Sequence, residues 1–340
     1  MKLRLYGSVA LAALIFLLVQ IGALALVPTF YAEGYQQVED PTDPTNSLLY
    51  IGAILVATAL MLAAFKYDFD WAVRGVVILT SGLISWYVFS ALLSPSLSVA
   101  LAAVVAVALL AYPEWYVIDT AGVLMGAGAA ALFGISFGVL PAVVLLLALA
   151  VYDAISVYGT EHMLDLAEGV MDLRIPVVLV VPTSLSYSLL DADFSGANDV
   201  HDDADEADEE ATTADDDGRT ADTEATADAT DAGTDDSAVR DAFFIGLGDA
   251  VMPTVMVASG AFFSPAASLG ISTLPALNLP ALAAMLGTFL GFFILMWAVM
   301  KGRAHAGLPL LNGGAVGGYL LGSLVAGVSL VDALGLAPYL

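Results

Sequence analysis

Nine apolar runs, each roughly 18 to 25 residues long, leave this chain few ways to fold, because that is the length a helix needs to cross the hydrocarbon of a bilayer. They lie near 5–30, 47–65, 71–93, 95–112, 116–136, 138–158, 240–263, 279–300 and 308–331. The joints at Ser94-Pro95 and from Gly138 to Pro141 are so short that a count of eight also fits. Hydrophobic residues make up 59% of the 340 and the mean hydropathy is +0.87, far from a soluble domain. Cysteine is absent, which excludes disulfides, thiolate metal sites and cysteine nucleophiles. The expected fold class is an all-α membrane protein with nine transmembrane helices.

Charge gives the orientation. With nine spans and the N-terminus in the cytoplasm, Lys2, Arg4, Lys66, Arg74, Arg174, Arg219, Arg240, Lys301 and Arg303 all fall on the cytoplasmic side, as the positive-inside rule asks. The C-terminus is then external. The formal charge of −26 is local, since about twenty of the 35 acids lie between Asp191 and Asp241. The chain therefore divides into helices one to six (1–158), a cytoplasmic amphipathic helix and short strand (159–190), a disordered acidic cytoplasmic loop (191–239) and helices seven to nine (240–340). Such a solvating loop suits an extreme halophile. The strand reading rests on Pro176 to Pro182, too short to span, and an isolated strand there could pair with an extended substrate.

Two acids interrupt otherwise apolar spans. Asp153 stands about six residues inside the cytoplasmic end of the sixth run, roughly 9 Å at the helical rise. Asp249 stands about nine residues from the start of the seventh, roughly 13 Å. Their similar depth makes them partners rather than two separate costs. Gly246 and Gly248, just before Asp249, would let another backbone approach. Glu114 and Asp119, near the start of the fifth span, read as interfacial acids reaching headgroup water. The ninth run opens with Pro309 and several glycines, a loosened start expected to face a wet cavity.

Two carboxylates close together in a low-dielectric site share a proton, so one serves as general base and the other as general acid. That pair could hydrolyse a peptide bond with water alone, needing neither metal nor cofactor. Paired intramembrane acids also carry protons through transporters, and the residues alone leave both readings open.

At these positions the chain resembles the presenilin and signal peptide peptidase family of intramembrane aspartyl proteases, particularly its archaeal members. Tyr152-Asp153 matches the family's Tyr-Asp pair, and Gly246-Leu247-Gly248-Asp249 matches its Gly-x-Gly-Asp motif. Gly159-Thr160 and Pro253 look like the signal peptide peptidase branch, whereas the inferred orientation looks like presenilin. The Pro-Ala-Leu motif of the last helix is met only in part by Ala306-Gly307-Leu308, followed by Pro309; its proline is lost and its alanine is glycine. Intact strings at Pro275-Ala276-Leu277 and Pro280-Ala281-Leu282 fall at the opposite membrane face and are read as chance. The resemblance implies Asp153 and Asp249 as the catalytic pair, supported by Tyr152, Gly246, Leu247 and Gly248, with Ala306 to Pro309 binding substrate. It implies transmembrane-helix protein substrates within the lipid bilayer of the cell membrane, no cofactor or metal, and no nucleic-acid partner; partner subunits are left open.

Overall fold

The computed structural model describes residues 2–67, 69–159, 175–184, 187–190, 242–301 and 306–336. Six helices come first: α1 Lys2–Ala32, α2 Thr45–Lys66, α3 Asp70–Ser90, α4 Pro95–Ala111, α5 Trp115–Ser136 and α6 Val139–Gly159. Strands β1 Val178–Pro182 and β2 Ala242–Gly246 follow, then α7 Leu247–Phe263, α8 Leu279–Val299, α9 Gly307–Val325 and the single turn α10 Leu330–Ala333. Seven of these helices, α1, α2, α3, α5, α6, α8 and α9, are long and apolar enough to cross a membrane. α4 and α7 are apolar but have 17 residues each, about 25 Å of helix against a hydrocarbon core near 30 Å. The expected amphipathic helix within 159–190 and the acidic loop 191–239 lie outside the described residues.

The helices are apolar on every side because their outer faces meet lipid: Leu49, Leu60, Trp71, Leu79, Val104 and Leu290 are all exposed. Inside, α5 and α7 cross at the centre, against α1. Phe16, Val19 and Val27 of α1, Ala130 and Ile135 of α5, and Ala250, Val255 and Ala258 of α7 are buried in one cluster. The crossing is close because Gly134 has no side chain; a methyl there would collide with Ala258. α8 and α9 meet more closely still, with Gly287 against the Gly314 carbonyl, Gly291 against Leu310 and Gly318 against Ala283. Repeats of small residues at every fourth position allow this backbone contact in a medium where burial of apolar surface gives no drive.

Polar side chains tie the ends. Asn278 caps α8 by accepting from the Ala281 N–H at 2.9 Å, and its amide donates to the Gly260 carbonyl of α7 at 2.9 Å. Ser259 donates to the Phe137 carbonyl at 2.8 Å, joining α7 to the α5–α6 corner. Leu277 and Ala281, from the two intact Pro-Ala-Leu strings, are packed in the core at this end of α7, the end opposite Asp249.

Three expectations change. The run 240–263 is not one helix, since Ala242–Gly246 is strand β2 and α7 begins only at Leu247. The last long helix ends at Val325 rather than 331, where Gly327 adopts φ of 78° and turns the chain before α10. The strand near Pro176 to Pro182 is not isolated: β1 pairs antiparallel with β2 in the register Val178↔Gly246 to Pro182↔Ala242.

Candidate active site

α6 presents Asp153 inward and Tyr152 outward, since Asp153 is 7% exposed whereas Tyr152 is 49% exposed. Its acceptor role has a physical cause in α9. The first N–H groups of a helix lack internal partners and carry the positive end of its dipole. At α9 the N-cap residue is Ala306, whose side chain cannot accept a hydrogen bond. Asp153 takes over that task from another helix, and its Oδ2 accepts the Leu308 N–H at 3.0 Å. Pro309 fits in the same first turn because no N–H is needed there.

Asp249 lies in the first turn of α7, so the strand rather than a helix leads up to it. Gly246 is the N-cap residue, and a methyl placed on it would sit 3.7 Å from Asp249 Oδ2. Gly248 has open space around its missing side chain. Leu247 is buried and packs over Gly126 of α5, where a methyl would come 3.3 Å from Leu247 Cδ1, a tight contact. Four residues after Asp249, the buried Pro253 has no N–H to offer the Asp249 carbonyl, which loosens this first turn.

The two acids converge on the start of α9. A methyl on Gly307 would sit 3.4 Å from Asp249 Oδ2 and 3.5 Å from its Oδ1, while the next residue, Leu308, donates to Asp153. Both carboxylates therefore meet adjacent residues of the same helix start. Of the residues read from the sequence, Asp153, Asp249, Gly246, Gly307 and Leu308 are thus brought together; Ala306 is buried beside them, and Tyr152 points away.

Glu114 and Asp119 do not reach headgroup water. Both are buried, and both accept from the segment that follows α6. Asp119 Oδ1 accepts the Val180 N–H at 2.8 Å; Glu114 accepts the Ser188 hydroxyl at 2.7 Å and the Leu189 N–H at 3.0 Å. The signal was present, because an acid in an apolar run calls for a partner wherever it occurs. The partner is backbone from a distant segment, which no spacing reveals.

The description "Signal-peptide peptidase, presenilin aspartyl protease" names the family whose profile matches residues 13–328. The chain belongs to this family of aspartyl proteases. It is an aspartic endopeptidase by class and a multi-pass integral membrane protein. Among solved structures it is similar to a presenilin family intramembrane aspartate protease in a C222 crystal form, at 30% identity and a TM-score of 0.59, covering 94% of this chain and 99% of that one. A P2 crystal form of a presenilin family intramembrane aspartate protease gives 30% identity, a TM-score of 0.56 and coverage of 92% and 96%. A comparison with curated proteins finds no match. Family membership leaves the transporter reading without support.

Proposed function

We propose that this protein hydrolyses peptide bonds within transmembrane segments of membrane proteins or signal peptides, with Asp153 and Asp249 as the catalytic pair and water as nucleophile. The observation that carries the reading is the meeting of both carboxylates at Gly307 and Leu308. One carboxylate takes a proton from water as the water oxygen adds to the scissile carbonyl carbon, and the other gives its proton to the carbonyl oxygen. The tetrahedral intermediate then breaks its C–N bond. The departing nitrogen takes the first carboxylate's proton, and a hydroxyl of the intermediate returns one to the second. A carboxylic acid and an amine leave, and the pair again holds one proton.

Nine spans place this chemistry near the cytoplasmic face, with the N-terminus inside and the C-terminus outside. The support for this orientation is the placement of Lys and Arg; α7 begins where β2 ends, at the end of the bundle where β1 and β2 pair. α7 begins at Leu247, which sets Asp249 in its first turn, close to that end. Ala306 to Pro309 are assigned to the extended substrate, which lies against the start of α9.

In lipid vesicles containing a single-span substrate at high salt, Asp153→Asn and Asp249→Asn are each expected to abolish fragment production while the protein stays folded. Wild-type cleavage by either variant would remove the mechanism. Because only the singly protonated pair has both an acid and a base, the cleavage rate against pH is expected to be bell-shaped. A rate that rises or falls monotonically across the stable range would exclude a shared-proton pair.

A further inference from the structure

The sheet beside the active site has one closed edge, and the groups that close it come from α1 and α5. The Leu247 N–H donates to the Val177 carbonyl at 2.7 Å. With the observed register, this makes Leu179↔Ile245 and Val181↔Phe243 the hydrogen-bonded pairs. Val178, Val180 and Pro182 therefore turn their backbone groups outward, away from β2. Each outward donor is accounted for. The Val178 N–H meets the Ile175 carbonyl at 3.5 Å, the Val180 N–H meets Asp119 Oδ1 at 2.8 Å, and Pro182 has no N–H. The Pro182 carbonyl accepts the Ser8 hydroxyl of α1 at 3.0 Å.

Burying a carboxylate that accepts only one backbone N–H is costly, so the bond it does make asks for a role. Asp119 is 6% exposed, and its second oxygen, Oδ2, is buried without a hydrogen-bond partner. α5 also lies directly against β1, since a methyl on Gly122 would sit 2.8 Å from Leu179 Cδ2. What β1 holds is β2, and β2 runs without a break into Gly246 and the first turn of α7, where Asp249 sits.

We infer that Asp119 and Ser8 are positioning residues for Asp249: by bonding the outer edge of β1 they fix the sheet, and the sheet fixes the height and direction of the Asp249 turn. This rests on Asp249 being catalytic, as proposed above. Neither residue touches the reacting atoms. The effect belongs to the rate of the chemical step, because displacement of about 1 Å at the reacting groups costs on the order of 100-fold.

The chain has no cysteine, so two can be introduced at will. Val180→Cys with Phe244→Cys places a non-hydrogen-bonded cross-strand pair at a spacing suited to a disulfide, and its rate of formation in membranes reports on the sheet directly. Asp119→Leu is expected to slow that cross-link and, without the added cysteines, to lower kcat on the order of 100-fold with KM little changed. Asp119→Asn, which keeps an acceptor oxygen, is expected to restore both. Ser8→Ala should act in the same direction with a smaller loss, and it serves where Asp119→Leu does not accumulate.

The inference is overturned if Asp119→Leu, or Ser8→Ala in its place, cross-links at the wild-type rate, if kcat is unchanged while the cross-link slows, or if Asp119→Asn behaves as Asp119→Leu does. The cross-link needs no proteolysis, so a failure of the catalytic reading appears separately, as unchanged cleavage in Asp249→Asn.

Discussion

Gly307 stands where the family resemblance leads one to expect alanine, and the geometry says what that change does. A methyl there would meet Asp249 Oδ2 and Leu295 Cδ2, each at 3.4 Å, which is ordinary contact. Gly307→Ala is therefore expected to fold and to cleave within a few-fold of wild type. A branched side chain has no such room, and Gly307→Val is expected to lower kcat/KM on the order of 100-fold by displacing Asp249 or the start of α9. Equal rates for wild type, Ala and Val would show that the start of α9 is not packed on the pair. The same scale explains why Asp153 and Asp249 were proposed as a pair from sequence while the buried Asp119 was read as interfacial. All three are acids in apolar runs, but Asp153 and Asp249 carry neighbours that match family motifs. Asp119 has only a backbone amide about sixty residues away as its partner.

Between elements, α8 and α9 meet backbone against backbone, and their seam sets where Leu308 can stand. Gly291 packs against the Leu310 carbonyl just past the residues that meet the two acids. A methyl on Gly314 would run into the Gly287 carbonyl, so Gly314→Ala is expected to cost about 1–3 kcal/mol from overpacking alone. Thermal unfolding in detergent would read this as a lowered midpoint, and an unchanged midpoint would mean that the seam is looser than described. The boundary between β2 and α7 was the element that sequence reading missed. Phe243, Phe244 and Ile245 before a Gly-x-Gly are a strand signal, but a fully apolar run has no period to tell strand from helix. β2 is chosen by the partner strand, which lies on the far side of the acidic insert.

At the scale of the whole molecule, β1 and β2 are joined in sequence only through residues 183–241, yet each is held by its own anchors. β1 is bonded to α1 and α5, and Leu189 is bonded to Glu114; β2 continues into α7. Replacing residues 191–239 with a short Gly-Ser linker is therefore expected to leave cleavage in vesicles close to wild type, with any change confined to solubility at high salt. A large loss of activity would show that the insert takes part in holding the sheet. The apolar runs by themselves determined the membrane class and nearly all the helices, because in lipid a chain must satisfy its backbone within each span and only run length matters. Asp153 and Asp249 could be proposed from the sequence because Tyr152-Asp153 and Gly246-Leu247-Gly248-Asp249 match family motifs; cost alone would not have separated them from Asp119. Only the tertiary structure decided that Asp249 opens a helix rather than sitting inside one, and that Asp153 caps the start of α9. It also turned Asp119 inward onto β1 and Glu114 inward onto Ser188 and Leu189. Each of those outcomes depends on which distant backbone group satisfies a buried polar atom, and that choice is made by the packing of the helices.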